Sequence, residues 1–170
     1  ESGRLWRGAQ KEEEQLPMAF KTRTWLAAAV AITATTAVAS SETAPADVKI
    51  NDDMQVTESL TGAPGDPAAG RKTFADRKLG NCLACHQVTK LSAHPFHGEI
   101  GPSLDGVAER YEEPQLRLQV VNAKEINPDT IMPAFYRTEG LHRVLKNFQG
   151  KPVLTAEQVE DVVAYLKTLK

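Results

Sequence analysis

The pentapeptide Cys82-Leu83-Ala84-Cys85-His86 contains both cysteines of this 170-residue chain and constrains it more than any other feature. Two thiols lie three positions apart, and a histidine follows the second. Three chemistries use such a motif: a redox dithiol, part of a zinc site, and covalent attachment of a haem. Each requires a different context, so the rest of the sequence discriminates between them.

A redox dithiol and a zinc site are the two alternatives to a haem. A thioredoxin-like dithiol lies at the end of a strand in a βαβ unit, and no strand pattern precedes Asn81. A zinc site would combine Cys82 and Cys85 with His94 and His97. Only eight residues separate Cys85 from His94, which is fewer than zinc fingers have, and no ββα pattern lies between them. Both alternatives stay open, and neither explains the whole motif.

Covalent haem attachment explains more of the motif. Each thiol adds to one vinyl group of the porphyrin, and a spacing of two residues lets Cys82 and Cys85 reach the same porphyrin. His86 would then lie beneath the iron as the proximal axial ligand. Cys-x-x-Cys-His is the pattern of c-type haem attachment. We therefore predict one covalently bound haem c on Cys82 and Cys85, with His86 as an iron ligand.

The N-terminal sequence supports this interpretation. From Met18 the chain reads MAFKTRTWLAAAVAITATTAVAS, which combines two basic residues, an apolar run and an A-x-A cleavage site. This layout predicts a secretory signal peptide over residues 18–39, and hence a periplasmic protein, where bacterial haem c is attached. A membrane anchor is the alternative, but the apolar run is shorter than the ~18 residues that span a bilayer. Residues 1–17 are then expected to be a mis-called upstream extension.

The composition gives little further information about function. The net charge of −2 and the pI of about 6.1 give no reason to expect a nucleic-acid partner. Residues 40–64 lack sustained apolar periodicity and predict an extended N-terminal arm, with a short strand around residues 48–56. Residues 65–170 are expected to form one small domain, with no transmembrane segment in the mature chain.

Helix signals dominate this domain. Asp66, Pro67 and Gly80 predict a helix over residues 66–78 with Gly70 and Phe74 on one face. The sequences SLDGVAERY and EEPQLRLQVVNAKEI predict two short helices, and GLHRVLKNF one or two helical turns. No segment alternates with a period of two for long. The predicted fold class is therefore all-α with long loops.

The last helix has the clearest signature. Thr155 followed by Gln158 is a capping box, and apolar residues then recur at helical spacing. These apolar positions are Val159, Val162, Val163, Leu166 and Leu169.

The sixth iron ligand is predicted from a census of the candidate side chains. Of the three methionines, only Met132 follows the haem motif within the domain, 46 positions after His86. It lies in the non-helical segment TIMPAF, and a thioether is a soft ligand that favours Fe(II). Core packing is the alternative role for a lone methionine. His94, His97 and His142 are the competing ligands.

Together these motifs resemble the small monohaem cytochrome c fold. The matching residues are Gly70, Phe74, Cys82-x-x-Cys85-His86, Gly101-Pro102, Met132-Pro133 and Tyr165. The resemblance implies that the first and last helices cross nearly at right angles, with Phe74 and Tyr165 packed at the crossing. It also implies that the carbonyl of Pro102 accepts a hydrogen bond from the proximal histidine, which fixes the orientation of the ring.

Within that fold, four sequence blocks resemble the SoxX family, the small cytochrome subunits of the SoxXA complexes of thiosulfate oxidation. The blocks are GNCLACH, GEIGPSLDGVAERY, NPDTIMPAFY and GKPVLTAEQVEDVVAYLKTL, and the resemblance runs from about Ala69 to the C-terminus. The histidine-rich insert SAHPFHGE has no role that the resemblance explains.

The resemblance implies an electron-transfer subunit of an L-cysteine S-thiosulfotransferase complex. In that family the larger subunit, SoxA, carries the reactive haem at which thiosulfate is coupled to a cysteine of the carrier SoxYZ. SoxX accepts the electrons and passes them to a soluble cytochrome c. The chain itself is not expected to be catalytic, because the haem would use both cysteines, and His86 and Met132 would leave no open site on its iron. The alternative is a free-standing periplasmic electron carrier for another respiratory enzyme.

Overall fold

A computed structural model describes residues 42–170, so the predicted upstream extension and signal peptide lie outside the described residues. Within this range the regular structure is helical and no strand is present, which confirms the all-α prediction. Residues 42–170 form four α-helices: α1 (Pro67–Ala75), α2 (Val107–Arg110), α3 (Glu113–Asn122) and α4 (Ala156–Leu166). No helix of the described range has both the length and the apolar character needed to cross a bilayer.

Helix α1 begins where the sequence predicts it. The Asp66 side chain accepts a hydrogen bond from the backbone N–H of Ala68 at 2.8 Å, and Pro67 occupies the first turn, where a missing N–H costs nothing. The helix ends at Ala75, earlier than the predicted residue 78, because Asp76 adopts an extended backbone conformation.

Helices α1 and α4 pack against each other through a glycine. A Cβ atom on Gly70 would lie 1.8 Å from the carbonyl oxygen of Asp161, so only glycine allows this approach. Beside this contact, the rings of Phe74 and Tyr165 meet edge to face, with centroids 5.4 Å apart and an interplanar angle of 62°. The pairing of these two aromatic residues agrees with what the family resemblance implies.

The predicted capping box of α4 is confirmed. The Thr155 side chain accepts from the N–H of Gln158 at 3.1 Å, and the Gln158 side chain accepts from the N–H of Thr155 at 3.0 Å. The apolar positions that follow are all buried and form the centre of the hydrophobic core.

Helix α3 also starts with a capping box, between Glu112 and Gln115, and then passes into a 3₁₀ turn over Ala123–Glu125. The segment GLHRVLKNF forms only a 3₁₀ turn over Lys146–Phe148, because a run of nine residues cannot hold a helix without a packed face. The burial of its leucines is low: the side chain of Leu145 is 70% exposed.

The N-terminal arm, of which residues 42–64 are described, packs on the helical domain without forming the predicted strand. The side chains of Val56 and Leu60 are 2% and 1% exposed. The arm folds back on itself where the N–H of Thr43 donates to the carbonyl of Leu60 at 2.8 Å. Its backbone groups bond partly within the arm and partly to residues of α3 and α4, and within the described residues they form no strand ladder.

A buried ion pair ties α3, α4 and the arm together. Arg117 donates to the two carboxylate oxygens of Glu160 at 2.8 and 3.0 Å, and both side chains are almost inaccessible. The third nitrogen of the guanidinium donates to the carbonyl of Val56 at 2.9 Å, and Glu160 accepts from the N–H of Leu60 at 2.9 Å. Such a paired geometry offsets the cost of burying two charges.

Candidate haem site

The cysteine motif folds into a single tight turn. Residues Cys82–Ala84 form a 3₁₀ turn that follows Asn81, whose φ of 49° is left-handed. The N–H groups of Cys85 and His86 both donate to the carbonyl of Cys82, at 3.1 and 2.9 Å. The two cysteines and the histidine therefore share one turn, and both cysteines are free thiols.

The thiol of Cys82 packs against the hydrophobic core. Burial raises the pKa of this thiol to about 12. The surroundings of Cys82 therefore keep its sulfur in the neutral thiol form.

The imidazole of His86 has a defined tautomer. Its Nδ1 lies 2.8 Å from the carbonyl oxygen of Pro102. Because a carbonyl oxygen can only accept, Nδ1 must carry the hydrogen, and in the neutral ring Nε2 then keeps its lone pair. The ring can therefore bind a metal through Nε2. In metal-ligating histidines the other ring nitrogen commonly donates to a carbonyl in the same way.

Gly101 provides the space for this ring. A Cβ atom at this position would lie 2.4, 2.6 and 2.9 Å from Cε1, Nδ1 and Nε2 of His86. The N–H of Gly101 also donates to the carbonyl of Cys85 at 2.8 Å, so this loop runs alongside the cysteine turn. The family resemblance pointed to the Gly101-Pro102 pair, but the steric requirement is visible only in the structure.

Sequence reasoning missed the residues that fix the loop after Pro102. Arg110 donates to the carbonyls of Asp105 and Ser103 at 2.7 and 2.9 Å. The hydroxyl and N–H of Thr89 donate to the carboxylate of Asp105 at 2.6 and 3.0 Å, and these bonds lower the pKa of Asp105. The partners lie close to the cysteine motif and to the Gly101-Pro102 pair, but residue types alone do not indicate which side chain bonds to which carbonyl.

Met132 lies on a second loop. Its side chain is half-buried and packs against the same hydrophobic core as Cys82, and its N–H donates to the hydroxyl of Thr130 at 3.2 Å. The structure thus gathers the two cysteines, His86 and Pro102 into one cluster. It places Met132 on the same core, at the end of a separate segment.

The competing histidines have other surroundings. His94 and His97 line a cavity of about 410 Å³ beside Leu83 and Ala84, and Nε2 of His97 lies 3.0 Å from the carbonyl oxygen of Leu91. His142 is exposed. Across residues 42–170, no group of three or more His, Cys, Asp or Glu side chains is arranged to hold a metal ion.

Comparison with known proteins identifies the family. The cytochrome c family model matches residues 67–170. The crystal structure of SoxXA from P. pantotrophus contains a similar chain: it is 47% identical, the match covers 76% of this chain and 99% of that one, and the TM-score is 0.71. The c-type cytochrome SorU from Sinorhizobium meliloti matches at 26% identity over 61% of this chain and 88% of that one, with a TM-score of 0.40. No curated protein sequence matches significantly.

A covalently bound haem c requires two thiols and an imidazole nitrogen for the iron. The turn provides two free thiols, and His86 has its Nε2 lone pair available. Gly101 leaves room for the imidazole ring. The prediction of a SoxX-like cytochrome is confirmed by the match over nearly the full length of the chain in the SoxXA structure. The chain therefore belongs to the cytochrome c family, as an electron-transfer cytochrome of the SoxX type whose cofactor is covalently attached haem c.

Proposed function

We propose that this chain is the electron-transfer subunit of a periplasmic SoxXA-type complex. The single observation that carries the proposal is the 47% identity to a chain of the SoxXA structure over 99% of that chain. Such a match covers the surface as well as the haem core, so it favours a shared assembly and not merely a shared fold.

We assign the site residues as follows. Cys82 and Cys85 hold the haem covalently, and His86 binds the iron through Nε2. The carbonyl of Pro102, 2.8 Å from Nδ1, fixes the ring and makes the imidazole a stronger donor. Met132 would provide the second protein ligand to the iron. The bound haem supplies a one-electron Fe(III)/Fe(II) couple, whose potential a thioether ligand raises.

This ligand set determines what the chain does in the complex. His86 and Met132 would leave no position on the iron for a substrate, and both cysteines would be used in anchoring. The chain is therefore an electron relay and not the catalytic subunit. Its proposed partners are a larger SoxA-like cytochrome, a SoxYZ-like carrier that receives the thiosulfate sulfur, and a soluble cytochrome c acceptor.

The ligand assignment is tested by Met132→Ala. The variant should lose the weak red absorption band of the ferric thioether–iron bond, and its midpoint potential should fall, because the softer ligand that favours Fe(II) is gone. Met54→Ala is the matched control, since Met54 lies on the arm outside the haem motif. An unchanged band in Met132→Ala would show that another residue holds the sixth position.

The assembly is tested by purifying the chain from its native host at low ionic strength. We expect it to co-elute with a larger cytochrome, and we expect thiosulfate to reduce its haem only when that partner and a SoxYZ-like carrier are present. Isolation as a lone monomer without any haem-bearing partner would contradict the proposal and favour a free-standing electron carrier.

A further inference from the structure

The segment that carries Met132 has little side-chain burial of its own. Ile131, on one side, is 74% exposed, and Pro133, on the other, is exposed as well. Only four residues, 131–134, lie between Thr130 and Phe135, which are both tied to other parts of the chain. The position of Met132 therefore depends on what holds these two ends.

The upstream end is held by a lysine. Lys124, in the 3₁₀ turn that continues α3, donates through Nζ to the carbonyl of Thr130 in a partly buried hydrogen bond. The hydroxyl of the same threonine accepts a hydrogen bond from the N–H of Met132. One side chain outside the segment thus fixes the residue that orients the methionine backbone.

The downstream end is held by the C-terminal end of α3. The last carbonyls of a helix have no partner within the helix. Here the N–H groups of Phe135 and Tyr136 donate to the carbonyls of Val120 and Val121, at 3.3 and 3.1 Å. The end of α3 and the 3₁₀ turn that follows it therefore hold the two sides of the Met132 segment.

Tyr136 adds a connection to the N-terminal arm. Its side chain is 4% exposed, and its hydroxyl donates to the carbonyl of Thr43 at 2.7 Å. The arm is in turn fixed to α3 and α4 by the buried contacts of Val56 and Leu60. This bond joins the arm to the residue four positions after Met132.

We propose that Lys124 and Tyr136 are positioning residues for Met132: they hold the two ends of its segment, and through Tyr136 the N-terminal arm stabilises the axial ligand. The inference rests on the proposed role of Met132. Its physical basis is that a ligand on a loosely held segment dissociates more often, which increases the apparent affinity of any competing ligand.

The test uses the holoprotein and imidazole as the competing ligand. Lys124→Met removes the donor and keeps the aliphatic chain, whereas Lys124→Arg keeps a donor. Tyr136→Phe removes only the hydroxyl. The matched controls are Lys151→Met and Tyr111→Phe, at exposed positions.

Loss of either hydrogen bond should strengthen imidazole binding to the ferric protein about fivefold, the factor expected for one net hydrogen bond. Lys124→Arg should restore much of the original value, and both controls should stay unchanged. The free energy of unfolding is measured in parallel, because a merely structural role would lower it without changing the affinity for imidazole.

The experiments distinguish an error in the ligand assignment from an error in the positioning role. If Met132→Ala keeps the thioether–iron band, the ligand assignment in the proposed function is wrong. If Met132→Ala loses the band but Lys124→Met and Tyr136→Phe bind imidazole as their controls do, the ligand assignment stands and the positioning role is overturned. Tyr136→Phe keeps the buried ring, so it remains informative even if Lys124→Met does not fold.

Discussion

Gly70 and Asp161 are in backbone contact where α1 meets α4: a Cβ on Gly70 would lie 1.8 Å from the carbonyl oxygen and 2.4 Å from the carbonyl carbon of Asp161. The obstacle is main chain of a buried helix, which cannot move aside as a flexible side chain can. At the present separation of the two helices, position 70 therefore admits no side chain.

Gly70→Ala should destabilise the holoprotein by about 3 kcal/mol, because the helices must separate to admit one methyl group. Chemical denaturation of the haem-bound protein measures the loss. Gly150→Ala is the control: its φ of +70° strains an alanine, but no atom lies within 4 Å of the new Cβ. It should cost only about 1 kcal/mol. Equal losses in the two variants would contradict the steric explanation.

Arg117→Met should lower the free energy of unfolding by roughly 3–5 kcal/mol, because Glu160 would remain buried without its partner. The carbonyl of Val56 also loses its donor, so the arm should detach in part. Limited proteolysis within residues 42–64, followed by mass spectrometry, reports this detachment. Arg143→Met, at an exposed position, is the control. An arm that resists the protease as before would show that its apolar contacts suffice.

Glu113 should make stability depend on pH at the acidic end. Hydrogen bonds from Lys167 and then Arg117 lower the pKa of this carboxyl below its ordinary value of 4.5. Because the folded-state pKa is depressed, the stabilisation is complete above pH 4.5 and is lost as the pH falls through the folded-state pKa. The free energy of unfolding of the wild type is therefore expected to approach that of Glu113→Gln on acidification.

The comparison with Glu113→Gln at each pH separates this carboxyl from other acid-sensitive groups, including the haem ligands, since these are the same in both proteins. Glu109→Gln, at an exposed position, serves as the control. A difference between wild type and Glu113→Gln that stays constant down to acidic pH would disprove the role of Glu113.

Gly101→Ala should disturb the proximal side of the haem. The new Cβ would lie 2.4 Å from Cε1 of His86, so the ring must turn and its hydrogen bond to Pro102 must weaken. A less basic imidazole stabilises Fe(III) less, and the midpoint potential should rise by roughly 40 mV, the equivalent of one net hydrogen bond. Gly150→Ala, whose Cβ would have no atom within 4 Å, is the control. A potential that stays the same in a folded Gly101→Ala protein would refute the steric role.

The parts of the fold that the sequence predicted well are those with local signals. The start of α1 follows from Asp66 and Pro67, and α4 follows from Thr155, Gln158 and the apolar spacing, because capping and amphipathicity depend on residues within one or two turns. The cysteine turn is likewise a local motif.

The parts that the sequence did not predict depend on distant partners. Arg117 bonds to Glu160, 43 positions away, and to Val56, 61 positions away, and neither pairing has a local signature. The same holds for Tyr136 and Thr43, which are 93 positions apart. The arm was therefore expected to be extended, whereas its buried residues are specified by helices that follow much later in the chain.

The buried Arg117–Glu160 pair limits where the chain can be divided into modules. The family model begins at residue 67, which suggests a haem domain that could be excised or transplanted from that point. Removing everything before it would delete the carbonyl of Val56 and the N–H of Leu60, and would open two charged side chains to water at the centre of the molecule. The smallest unit that can be expressed or fused intact therefore includes the arm, and chimeric cytochromes should be joined upstream of Thr43.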